Sequence, residues 1–398
     1  MRKILYILCF IGLCATANTQ RKDIAQAKQW IKQGKNLEKA EQSMKRLLKD
    51  SANCKNKKIW LTWFEAVKAQ YELANDKLYL KQKYDTVGLF SLTKEMFDIL
   101  QSFDSIDAAP NKKGKVKIKY RDEHAQFLNQ FRPNLYNGGA FFLNKKRYDN
   151  AYSLYNAYIS CAYQPLFSNY NYLDNDKRIP LASYWAFFCA YKQKKYNLAL
   201  EHKNLALKDT IHHAYTLQYL SDIYQKTCDT GLYIKTLQEG FNLHPKFPYF
   251  FPRLVDFYVL HKQFDKAMNV IDKALQVDSA NSMYRFAKST VLLNTGKYKQ
   301  CIDQCKELIA ENDSMAEPYL NAGLAYFNQA VLLDKEPQPS KKVRKTILDY
   351  YRQALPYLEK YRQMAPEMKD KWCKPLYTIY LNLNMGKEFD EIDKLIKK

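Results

Sequence analysis

The sequence predicts an all-α chain, an α-solenoid of antiparallel helix pairs, and three observations lead there. The 398 residues include only 11 Gly and 13 Pro, while Lys, Leu, Ala, Gln and Glu are abundant. That composition favours helices joined by short turns over sandwiches or barrels. Apolar side chains recur at i, i+3, i+4 and i+7, as in Trp60, Leu61, Phe64, Val67 and Tyr71, which marks one buried helix face. The pattern also repeats every 34 residues without a gap from 180 to 326. A fixed period in the range of 20 to 50 residues is the signature of stacked repeats.

Residues 1–17 stand apart. Arg2 and Lys3 precede an apolar stretch from Ile4 to Cys14, and Ala15-Thr16-Ala17 forms an A-x-A cleavage site. This is the tripartite pattern of a secretory signal peptide, and the apolar stretch is about half the length that spans a bilayer. Lipid attachment at Cys14 is disfavoured by the bulk of Leu13 before it. No later apolar run is long enough to cross a membrane. The expected location is the periplasm, or the outer membrane as a peripheral protein, of a Gram-negative bacterium. Losing Arg2 and Lys3 and no acid lowers the formal charge from +22 to +20. In an exported chain this basicity does not point to nucleic acid; lipid headgroups, lipopolysaccharide phosphates, acidic polysaccharide or an acidic protein are the available anions. A solvated, lysine-rich helical surface is the plainer explanation. Of nine cysteines, Cys9 and Cys14 leave with the leader. The remaining seven lie mostly within helical patterns, not at the spacings of a disulfide framework. Cys301 and Cys305 are one turn apart, which suits two packed thiols.

Residues 18–131 read as divergent helical repeats with a basic loop. Leu89 to Phe103 keeps the helical rhythm behind an Asp85-Thr86 cap. Ser105 to Lys119 breaks it: Lys115, Lys117 and Lys119 alternate with Val116, Ile118 and Tyr120, as in an extended segment with lysines on one side. With Lys112, Lys113 and Arg121 these form a candidate anion-binding strip, against the plainer reading of a solvated loop.

Residues 132–366 carry the array. From Ala214, Leu217, Leu220, Tyr224, Leu237 and Pro245 occupy positions 4, 7, 11, 24 and 32. In the next repeat Phe251, Leu254, Tyr258, Phe264, Ala267, Ile271 and Ala274 occupy positions 4, 7, 11, 17, 20, 24 and 27. The repeat opening at Arg132 gives Leu135, Gly139, Phe142, Tyr148, Ala151 and Tyr155. Insertions interrupt the period near 166–179, read as a projecting loop rich in Asn, Asp and Tyr, and near 327–345, where Pro337, Pro339 and a basic run lengthen a helical hairpin. Pro356 should kink its helix. Residues 367–398 read as capping helices with a polar outer face.

This spacing resembles the tetratricopeptide repeat (TPR), W-x2-L-G-x2-Y, then A-x3-F, then P. The resemblance implies a right-handed α-solenoid, a superhelix of antiparallel helix pairs, each covering its neighbour's apolar stripe. Positions 8 and 20 are then close crossings, hence Gly139, Gly323, Ala151, Ala199, Ala267 and Ala354. Phe187 at position 8 and Tyr233 at position 20 depart from this and should splay their helix pairs or shift them. The resemblance also implies a partner-binding concave groove lined by first-helix positions 2, 5, 9 and 12: Tyr136, Tyr184, Tyr191, Tyr215, Gln218, Asp222, Gln225, Tyr249 and Asp256. Aspartates at position 9 would repel a carboxylate, which argues against the carboxylate-clamping subtype and favours a basic ligand. Core packing is the competing role for any of these tyrosines.

No H-E-x-x-H, Walker loop, G-x-G-x-x-G, G-x-S-x-G or paired C-x-x-C is present. His212-His213 falls at a helix–helix turn, where exposure is the ordinary explanation. The expectation is a scaffold for a protein or peptide in the cell envelope, with no catalytic residue, cofactor or metal. The alternative is a carrier of an anionic envelope glycan or lipid.

Overall fold

The structure is a computed structural model that describes residues 20–111, 113–335 and 339–397. The leader with Cys14, together with Lys112 and Pro337, lies outside the described residues. Those described are helical with no strand among them, and none of their helices is long and apolar enough to cross a membrane. The described residues form two compact parts that divide between Ile223 and Tyr224.

The first part begins with α1 (residues 20–33) and α2 (Leu37–Leu48), followed by α3 (Lys57–Tyr79), α4 (Thr86–Asp107), α5 (Arg121–Asn144) and α6 (Tyr148–Ser160). Side-chain oxygens of Asn56 and Asp85 accept the free N–H of Lys58 and Val87 at the starts of α3 and α4, the ordinary task of an N-cap. Successive helices pack in order, and Met96, Phe97, Ile99, Leu100, Leu128 and Leu135 exclude water completely. Helix α4 runs through Ser105 to Asp107 before the basic segment begins. The helical rhythm therefore ends later than the sequence suggests. The segment is a loop in which Lys113, Lys115, Val116, Lys117, Ile118 and Lys119 face water.

After α6 come a short 3-10 stretch, Pro165–Tyr170, and one helical turn, α7 (Tyr172–Asn175). The expectation of a projecting loop is corrected here: Leu166, Phe167, Tyr172 and Ile179 are buried in the same core as Leu135 and Tyr155. The reason is Arg132. Its guanidinium lies 3.8 Å from the ring centroids of both Tyr158 and Tyr172. It also donates to the Asp176 carboxylate and the Tyr158 carbonyl. A buried cation has to be paired and hydrogen-bonded, and the insertion supplies both the carboxylate and one of the two rings. Burial alone would raise the Asp176 pKa, but the Tyr158 hydroxyl, the Arg178 N–H and Arg132 hold it below the usual carboxylate range.

Then follow α8 (Ile179–Lys192), α9 (Tyr196–Glu201), α10 (Lys203–Ala206) and α11 (His213–Lys226), within which the two parts divide. The second helix of the repeat containing Phe187 is broken at His202, while Ala199 still packs with no exposure. His202 is buried against the edge of Tyr152 with no partner for Nε2, and burial pushes its imidazole down to about 4.

The second part contains α12 (Thr230–Leu243), α13 (Phe250–Leu260), α14 (Phe264–Val277), α15 (Ser282–Asn294), α16 (Tyr298–Glu311), α17 (Ala316–Leu333), α18 (Lys341–Met364), α19 (Lys369–Asn382) and α20 (Gly386–Ile396). Each packs on the next. Ala267 is fully buried and Ala274 nearly so, and Cys301 and Cys305 are buried free thiols. Helices α17 and α18 form a lengthened hairpin. Helix α18 runs unbroken through Pro356, which withholds the N–H that the Arg352 carbonyl would accept. Ile392 alone is buried in α20.

Two backbone features recur with the period. A Cβ on Gly139 would lie 2.8 Å from the Tyr155 ring, and one on Gly323 would lie 2.6 Å from Leu358 Cγ. Position 8 of one helix thus abuts the position-24 side chain of its partner. Left-handed residues also fall at Lys146, Lys194, Cys228, Lys262 and Gly296. These are position 15 of each repeat, spaced by 34 except where the 166–179 insertion widens the first step. Each turn is closed by a bond from the following N–H to a carbonyl five residues back: Arg147 to Phe142, Lys195 to Ala190, Asp229 to Tyr224, Gln263 to Tyr258 and Lys297 to Leu292. That is the Schellman closure of a helix end.

Three substitutions test these features. Gly296 has φ of 75° and nothing within 4 Å of a built Cβ, so Gly296→Ala should cost about 1 kcal/mol through backbone strain alone. Lys262→Gly, at φ 57°, should raise the denaturant midpoint by a similar amount. For His202, the unfolded imidazole takes a proton near the ordinary 6.5 and the folded one only near 4. Acidification through that window therefore favours unfolding, by up to about 3 kcal/mol. Urea midpoints should show His202→Phe gaining on the parent chain as pH falls from 6.5 to 4.

Candidate partner-binding surface

Helix α8 opens with Pro180 in its first turn, where a missing N–H costs nothing. It places Tyr184, Phe188 and Tyr191 one turn apart, with Trp185 beside them. Helix α11 adds Tyr215, Tyr219 and Asp222, and the turn before it adds His212. Tyr184, Trp185, Phe188, Tyr191, His212 and Tyr219 form one aromatic layer. The Tyr184 ring stacks on His212 at 4.2 Å and touches Trp185 at 4.8 Å. Phe188 meets Trp185 at 5.9 Å and Tyr219 at 5.6 Å. Tyr191 stacks on Tyr219 at 4.6 Å, and its hydroxyl donates to Asp222 Oδ2 at 2.9 Å. Asp209, itself buried, holds His212 Nδ1 at 2.6 Å and accepts the Ile211 N–H. Burial pushes the Tyr184 and Tyr191 hydroxyls above the ordinary tyrosine range, and Asp222 pushes Tyr191 further in the same direction.

The sequence-derived residues divide. Tyr215 is 44% exposed, and Tyr191, Gln218 and Asp222 are half-buried on the same helices. Tyr136 on α5 is half-buried between Tyr155 and Tyr158, with the Arg178 guanidinium 6.0 Å from its ring. Two assignments are corrected. Tyr184 and Tyr249 are only 4% and 7% exposed, so they are packing residues. A phenol wedged between neighbouring helices buries too much apolar area to stay in water. Tyr249 is covered by Arg253, whose guanidinium carbon sits 3.6 Å from its ring centroid. Gln225 and Asp256 are exposed, but they belong with Tyr249 to the second part. The exposure expected of His212 is corrected as well, because its side chain is 22% exposed and bonded to Asp209.

Trp185, Phe188, His212 and Tyr219 were missed. Phe188 shares position 9 with Asp222, and Trp185 and Tyr219 both occupy position 6 of successive repeats. The repeated aromatic at that position was the available signal.

A larger cleft of about 1040 Å³ lies among α2, α3 and α4, with Leu73, Tyr84 and Leu92 in its walls. Glu41 and Glu95 in its lining share Lys45 Nζ at 2.6 and 2.7 Å. Gln70 donates to Glu41 and Trp63 Nε1 to Glu95. These acids are satisfied within the protein, and burial, aided by Glu41, raises the Glu95 pKa. Among the described residues no group of three His, Cys, Asp or Glu side chains is placed to hold a metal ion.

Glycine lies against the partner helix at position 8 of two repeats, alanine has zero exposure at position 20 of four, and a left-handed closure falls at position 15 of five. In these features the helix pairs resemble tetratricopeptide repeats. No protein-family model matches the chain, and no curated protein is recognisably similar in sequence. Among solved structures, the C-terminal part of a TPR protein from Cytophaga hutchinsonii is 14% identical with a TM-score of 0.43, covering 65% of this chain and 93% of that one. A TPR protein from Bacteroides fragilis is 18% identical with a TM-score of 0.32, covering 66% and 98%. YrrB, described as a TPR protein with an unusual peptide-binding site, is 16% identical with a TM-score of 0.35, covering 50% and 93%. At such scores these structures carry no argument, and the resemblance to the TPR lies in the register of this chain's own helices.

The division between packing and exposed tyrosines is measurable. Tyr184→Ala should destabilise the chain by about 3–5 kcal/mol in urea unfolding. Tyr215→Ala should change stability by less than about 0.5 kcal/mol.

Proposed function

We propose that this chain is a non-catalytic scaffold that holds a protein segment on the aromatic face of α8 and the start of α11. The observation that carries this reading is the aromatic layer of Trp185, Phe188, Tyr191 and Tyr219 bordered by Asp222, with Tyr215 exposed on the same helix as Tyr219. Rigid aromatic side chains with polar tips offer contact area at little entropic cost, and such residues dominate protein interfaces. The layer has no nucleophile paired with a base and no enclosed pocket, which supports binding over chemistry. Asp222 at its edge favours a lysine or arginine on the partner.

The leader-like residues 1–17 support export to the envelope of a Gram-negative bacterium, with the scaffold organising a protein assembly there. Peptide mapping of the chain recovered from the periplasmic fraction should find an N-terminus just after Ala17.

A photoreactive amino acid placed at position 215 should crosslink a discrete protein in intact cells. The adduct should persist at about 0.5 M salt, where long-range charge attraction is screened within a few ångströms, and it should weaken with Trp185→Ala. Recovery of glycan or lipid alone from that position would sink the proposal.

A further inference from the structure

The loop between α4 and α5 lies on different elements from the aromatic layer and makes a different kind of surface. Lys113, Lys115, Lys117 and Lys119 are all exposed, and so are Val116 and Ile118 between them, at 56% and 40%. Solvated lysines are ordinary. Exposed apolar side chains occur elsewhere on this chain, at Leu80, Ile211 and Leu260 among others, but here two of them alternate with lysines within one loop.

The loop is also built. Asn111 Oδ1 accepts the N–H groups of Lys113 and Lys115, and the Asn111 N–H donates to the Lys115 carbonyl. At the far end the buried Asp107 carboxylate accepts the N–H of Lys119 at 2.6 Å and of Tyr120 at 2.9 Å. Lys57 pairs with the other oxygen of Asp107 at 2.6 Å, and Arg121 is bound to Asp104. The carboxylates beside the loop are thus neutralised from the protein side. Among the described residues no acid pairs with Lys113, Lys115, Lys117 or Lys119. From Ala108 to Tyr120 the chain contains no acid at all, and Asp122 and Glu123 follow on the first turn of α5.

We propose that this loop is a docking site for an anionic bilayer surface. The lysines meet lipid phosphates while Val116 and Ile118 enter the boundary between headgroups and acyl chains. The apolar pair decides between a bilayer and a soluble anion. A polysaccharide or a free phosphate repays the lysines but leaves both apolar side chains in water, whereas a membrane interface repays both kinds. The loop goes beyond the scaffold function above and stands or falls separately from it.

The test is flotation of the full chain from residue 18 with phosphatidylcholine vesicles, with and without phosphatidylglycerol. Binding should require phosphatidylglycerol. Each lysine near an anionic surface contributes about fivefold to partitioning, so Lys115→Gln with Lys117→Gln should weaken it about twentyfold. Val116→Ser with Ile118→Ser should weaken it about tenfold. All four side chains lie in water, so both variants should keep the parent's unfolding midpoint, and crosslinking from position 215 should be unchanged. Three results would overturn the proposal: no binding to the anionic vesicles, full binding by the Val116/Ile118 variant, or displacement by inorganic phosphate at matched ionic strength.

Discussion

Every other feature of this chain depends on how closely paired helices approach one another. Where Gly139 meets Tyr155 and Gly323 meets Leu358, a single additional carbon would overlap the opposing side chain. That contact fixes which face of each helix turns inward, and the inward face fixes the period. A helix pair of this size cannot cover its own apolar stripe, so the next pair is obligatory. The aromatic excess follows from the same geometry. Close crossings at positions 8 and 20 leave wider gaps elsewhere, and Tyr155, Tyr258, Tyr351 and Tyr361 fill such gaps at 3% exposure or less.

The array was legible in the sequence because its constraints are local and periodic. Small residues at close crossings, and aromatics one and two turns away, leave a pattern that survives poor individual matches. The insertion at 166–179 was not legible. Its Asn, Asp and Tyr look like loop composition, and nothing local announces that Tyr172 and Asp176 will enclose Arg132. A cation's need for a carboxylate is satisfied 44 residues downstream, and no window along the chain captures that. Glycine marks only one of the five left-handed turns of the central repeats, at position 296. Lysine or cysteine holds the other four, so the usual composition cue was missing while the geometry persisted.

The candidate surface was half legible for a related reason. Register alone placed Tyr191, Tyr215 and Asp222 near one another, but it could not separate tyrosines that face outward from those that lock helices together. Tyr184 and Tyr215 occupy neighbouring faces of successive first helices, yet one is buried and the other open. The difference lies in His212 and Asp209, which reach over Tyr184 from the connecting turn. Such turns vary between repeats, and a common template cannot supply them.

The lysines at the left-handed turns bear on how the chain's basicity is distributed. Lys146, Lys194 and Lys262 each sit just past the last turn of a helix, where unpaired carbonyls concentrate partial negative charge. A cation there is attracted to the helix it terminates and offsets some of the strain of its own backbone. Part of the +22 formal charge is therefore an internal counterweight to the helix dipoles, repeated along the array. A map of surface potential that ignored those carbonyl ends would overstate how much positive charge remains for a ligand.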